Sequence, residues 1–97
     1  MYQKHREFLV SELASGADAI VVSRIVDYIN KNVDVDDADP GSVILYDLLY
    51  DLNFFEPDAA RRLQDGALFG RERLVEEIKA AISGLEELEN HRPEASG

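Results

Sequence analysis

The sequence contains no cysteine, which excludes a disulfide framework and any thiolate metal site and fits a reducing compartment. It has no apolar run approaching the ~20 residues that a membrane-spanning helix requires, so no membrane association is expected. The opening Met1-Tyr-Gln-Lys-His-Arg-Glu7 carries charge without a following apolar stretch and does not read as a secretory signal. Bases are scarce: 10 Lys and Arg stand against 20 Asp and Glu, for a net charge of −10. A field of that sign repels phosphate backbones, so direct nucleic-acid binding is not expected. These absences predict a cytoplasmic protein whose partner is another protein.

Chemistry-bearing patterns are also missing. The chain has two histidines, His5 and His91, and no serine or histidine in a nucleophile elbow or a His-Glu-x-x-His spacing. Asp34 opens an apparent calcium loop, but the EF-hand pattern wants glycine at 39 and glutamate at 45, where Asp39 and Leu45 stand. Ser42 follows Pro40-Gly41 and reads as a helix N-cap. The Asp-Ser-Leu context of a phosphopantetheine carrier is replaced by Gly41-Ser42-Val43. The expectation is a protein that is not an enzyme and holds no metal and no cofactor.

What is abundant is concentrated. Between Asp27 and Asp58 nine acids face Lys31 alone, so one third of the chain carries most of the net charge. The same stretch holds the densest apolar run, from Ser42 to Asp58. Wound as a helix, Ile44, Leu45, Leu48, Leu49 and Leu52 make one apolar face, while Tyr46 with Tyr50 and Asp47 with Asp51 are neighbours one turn apart. Tyrosine is enriched at binding hot spots, and carboxylates beside it attract a basic partner. The candidate partner-binding residues are therefore Tyr46, Asp47, Tyr50, Asp51, Glu56 and Asp58, with Asp34, Asp36, Asp37 and Asp39 of the preceding loop steering encounter.

Around that stretch, residues 3–14 read as a first helix with Phe8, Leu9 and Leu13 on one side, ended by Ser15-Gly16. His5 reads as a partly buried helix residue. Asp18 caps a second helix running to residue 30 or 31, with Val21, Val22, Ile25, Val26 and Ile29 at helical spacing. Residues 20–26 are rich in β-branched side chains and leave a strand open as the alternative. Residues 32–41 form an acidic loop. After Asn53, Pro57 suits the first turn of a short helix with Asp58 at its positive end. Leu68 and Phe69 plug a turn before the last helix, residues 71 to 88 or 89, whose buried stripe is Leu74, Ile78, Ala81, Ile82, Leu85 and Leu88. Arg73 and Glu77 form an exposed pair on it, and Gly84 marks a bend or close approach. The expected architecture is an all-α, small antiparallel four-helix bundle spanning 1–89, with a loose tail over 90–97.

The segment Phe55-Glu-Pro-Asp58, followed by Ala-Ala-Arg61 and a helix carrying Leu74, Ile78 and Ile82, resembles the C-terminal half of colicin D type bacterial immunity proteins. The opening helix with Phe8-Leu-Val-Ser11, leading through a short polar break into a second helix, is similar too. The resemblance implies a small helical bundle that neutralises a transfer-RNA-cleaving toxin by filling its basic active-site cleft with acidic side chains. It implies that Glu56 and Asp58 belong to the inhibitory surface. Immunity proteins of contact-dependent growth inhibition systems have similar size and acidity. The function expected is thus an immunity protein that neutralises a cognate basic nuclease toxin. The alternative is an acidic helical adaptor or regulator acting through partner-protein binding or as a homodimer.

Overall fold

The computed structural model describes residues 2–16, 18–34, 36 and 39–90. They form five helices: α1 (Gln3–Ser15), α2 (Ala19–Asn32), α3 (Pro40–Leu52), α4 (Ala59–Gln64) and α5 (Arg71–Asn90). The chain is all-α, with five helices against the four-helix bundle expected; the additional one is the short helix expected after Pro57. The extra element, α4, is six residues long and buries none of them; its Leu63 is 90% exposed. The four longer helices make a ring in which α1 and α3 each pack against both α2 and α5. The tail expected to be loose begins at Asn90, which still belongs to α5, and residues 91–97 lie outside the described residues. No helix among the described residues is long and apolar enough to cross a membrane.

Side chains spaced three and four apart fill the centre of the ring. Leu9 comes from α1, Val21, Ile25 and Ile29 from α2, Leu45, Leu48 and Leu52 from α3, and Leu74, Ile78, Ile82 and Leu85 from α5. Burying each such side chain stabilises the fold by ~1.5–3 kcal/mol. The β-branched run 20–26 is helical because Val21 and Ile25, with Ile29 a turn further on, fall on one face of α2, and burial of that face outweighs strand propensity. Leu88 ends the α5 stripe half-buried rather than buried. At Gly84 the close approach is real: a Cβ there would sit 3.0 Å from Ile44 Cδ1.

Polar contacts tie the helices together. On one flank Phe8 stacks on Tyr28 at 3.9 Å between ring centroids, and the Tyr28 hydroxyl lies 2.7 Å from His5 Nδ1. Burial, reinforced by Lys4, lowers the His5 pKa. Glu12 is buried and accepts from Arg24 Nε at 2.6 Å, joining α1 to α2. Arg6 grips Glu89 with two nitrogens, at 2.9 and 3.2 Å, joining α1 to α5.

The entry to α3 differs from the sequence reading. Its N-cap is Asp39, which accepts from the Gly41 amide at 2.9 Å, and Pro40 occupies the first helical position. Ser42 is therefore inside the helix and buried. Asp39 also accepts the Tyr2 hydroxyl at 2.7–2.8 Å, and the Tyr2 ring covers Gly41 so closely that any Cβ there would overlap it. Proline at 40 starts the helix three residues earlier than the serine would. At α4 the shift is in the other direction: Asp58 is the N-cap and Pro57 precedes it, outside the first turn.

Candidate partner-binding surface

With 3.6 residues per turn, the buried Leu45, Leu48 and Leu52 define the inner side of α3, and Val43, Asp47 and Tyr50 fall on the opposite side. Val43 is 50% and Tyr50 64% exposed, and Asp47 is exposed. Large apolar groups left in water at i and i+7, with a carboxylate at i+4 between them, form a stripe about two turns long. Tyr50 is braced by an edge contact to Phe54, ring centroids 5.5 Å apart. Val43 was not among the expected residues, although its place opposite the leucine stripe is readable from spacing alone.

The two tyrosines divide. Tyr46 is half-buried, and its hydroxyl donates to the Val33 carbonyl at 2.9 Å, so it fastens the end of α2 to α3. The two aspartates divide as well. Asp47 and Asp51 both line a groove of about 160 Å³ between α3 and α5, with Glu77 and Ala80 across it. Asp51 is half-buried there, and its hydrogen bond with Glu77, followed by burial, raises the Glu77 pKa while Arg73 opposes the rise. Arg73 forms the expected pair with Glu77 at 3.3 Å.

No family model, curated protein or solved structure matches the chain. The arrangement of the surface is read from its own geometry.

The remaining acids sit at the two ends of α3, about 20 Å apart by the length of thirteen helical residues. At the N-terminal end Asp34 accepts the Asp36 amide at 3.0 Å, and both are exposed. Asp39 is the helix cap, and Asp37 lies outside the described residues. At the C-terminal end Asp58 caps α4 through the Ala60 amide at 2.9 Å. Glu56 accepts the Asp58 amide at 3.1 Å and faces Arg61 at 3.8 Å. Glu56 thus stands beside an arginine and Asp58 is used as a helix cap, whereas Asp47 lies on the Val43–Tyr50 stripe and Asp34 and Asp36 are exposed.

The arginine grouping was not anticipated. A bridge between Phe55 and Phe69, with the Glu56 amide donating to Phe69 O at 2.8 Å and the Phe69 amide to Phe54 O at 2.9 Å, folds the 53–70 segment back on itself. That bridge brings Arg62 of α4 against the start of α5, where Arg71 and Arg73 stand. The signal in the sequence was only four arginines in thirteen residues, split by a turn.

Proposed function

We propose that the protein is an inhibitor of immunity type, which binds a cognate basic nuclease toxin of the transfer-RNA-cleaving kind and occupies its active-site cleft. The scaffold in this reading is a four-helix bundle of α1, α2, α3 and α5, with α4 inserted before the last helix. The observation that carries it is the exposed stripe Val43–Asp47–Tyr50 on the outer side of α3, in the third of the chain that holds most of the acids. Tyr50 is the anchor that desolvates against the partner, Asp47 meets its lysines and arginines, and Asp34 and Asp36 accelerate encounter. Close charge pairs at such a contact couple by about 1.5–7 kcal/mol, whereas rim acids change mainly the association rate. Glu56 and Asp58 extend the acidic edge beyond the helix end.

The test is purification from the protein's own cells under low salt, followed by native mass spectrometry and a nuclease assay. A stoichiometric basic partner, inactive in the complex and active once released, is the expected result. Tyr50→Ala then raises dissociation by roughly thirtyfold or more, and Asp34→Asn with Asp36→Asn slows association and flattens its salt dependence. Recovery of an unmodified protein with no partner overturns the proposal. Self-association through the same Val43 and Tyr50 is the second reading. It juxtaposes like charges, so salt strengthens it, whereas salt weakens a complex with a basic partner.

A further inference from the structure

We propose that the cleft between α4 and the first turn of α5 binds a small phosphate ester. The cleft has a volume of about 580 Å³ and is lined by Arg62, Gly70, Arg71, Glu72, Arg73 and Glu76, a size suited to a metabolite. Arg62 and Arg71 also line the adjoining depression, with Phe55, Pro57 and Asp18, so these two arginines form the ridge shared by both. In a chain with twice as many acids as bases, this is where the cations gather.

Two of the arginines are held in place rather than waving in solvent. Arg62 Nη1 donates to the Glu56 carbonyl at 2.6 Å, and its guanidinium lies in the space a side chain at 70 would fill: a Cβ there would be 2.9 Å from Arg62 Cζ. Arg73 lies over the Phe69 ring, 5.2 Å from its centroid, with Nε on Glu77 at 3.3 Å. A guanidinium has five donors, and a fixed one presents the rest as a fork that matches two phosphate oxygens. The glutamates determine which phosphate. Glu72 and Glu76 accept hydroxyl groups and repel a second dense anion, which favours a phosphorylated polyol over a polyphosphate. A polynucleotide, running far outside the cleft, meets the full net charge of −10.

Titration calorimetry with ribose 5-phosphate, inorganic phosphate and pyrophosphate, at ionic strength matched with chloride, tests this. The expected result is saturable binding, tightest for ribose 5-phosphate. Gly70→Ala keeps every charge but evicts the Arg62 guanidinium, the flexible end of its side chain, so affinity falls at least about tenfold. Diffuse electrostatic attraction would leave it unchanged. Arg73→Gln, at an exposed position, weakens binding by a similar factor and decides the matter if the glycine variant misfolds. Absence of saturable binding, or binding that survives both substitutions, overturns the proposal. A short single-stranded oligonucleotide binding more tightly than ribose 5-phosphate overturns the assignment to a small ligand.

Discussion

Tyr46 and Tyr50 are one turn apart on α3, yet the structure gives them opposite work, and a pair of substitutions separates the two. Tyr46→Phe removes the hydroxyl that reaches the Val33 carbonyl at 2.9 Å and leaves the ring in place. A hydrogen bond of this kind contributes about 0.5–1.5 kcal/mol, and the carbonyl left behind is part-buried, so a loss near 1 kcal/mol is expected. For a domain of this size that is a fall in Tm of roughly 4–8 °C. Tyr50→Ala removes a ring that is 64% exposed and touches chiefly Phe54. Its effect on stability stays within about 0.5 kcal/mol, the usual range for surface substitutions. Thermal unfolding followed by circular dichroism, run on both variants in one buffer, reads the difference. If Tyr50→Ala unfolds earlier than Tyr46→Phe, the ring is part of the core and the outer side of α3 is not a free surface.

Two further expectations concern the seam between α3 and α5. The Glu77 carboxyl is held above its ordinary 4.5, so its contribution favours the fold below that value and is lost as pH rises through the folded pKa. Glu77→Gln should therefore stabilise the fold at pH 7, by no more than about 1 kcal/mol because the groove is open to solvent, and the gain, read as a rise in Tm, should vanish near pH 4; a gain that grows with acidity would contradict the upward shift of the Glu77 carboxyl. At Gly84, alanine adds up to ~1 kcal/mol of helix propensity but presses Ile44 Cδ1, so denaturant unfolding of Gly84→Ala should match wild type within about 0.5 kcal/mol. Gly84→Leu should cost ~1–3 kcal/mol by overpacking, and equal stability of the two variants would mean the helices do not approach closely there.

Much of the molecule is legible one residue at a time. Apolar spacing alone places α1, α2, α3 and α5 and most of their buried positions, because a helix that must bury one face repeats its apolar residues every three or four positions. The same regularity marks the outer side of α3, so the stripe through Tyr50 is half visible in the spacing itself. Caps are less legible: Ser42 and Asp39 both suit an N-cap chemically, and only the fit of Tyr2 over Gly41 and onto the Asp39 carboxylate selects the aspartate. Tyr46 and Tyr50 are alike in sequence, and the end of α2 packing beside one of them makes it structural.

What lies beyond the sequence is whatever depends on which segments meet. The acidic character of residues 27–58 is a property of the string, and it sets the sign of the field around that stretch. The arginine cleft is not, because Arg62 and Arg71 are separated by a glycine-containing turn whose path is determined by the Phe55–Phe69 bridge. The Asp51–Glu77 contact likewise exists because α3 packs on α5. Local patterns determine each helix and its inner face, since those follow from periodicity and burial; the positions at which two distant side chains meet across a groove or line one cleft follow from packing, to which no short stretch of sequence has access.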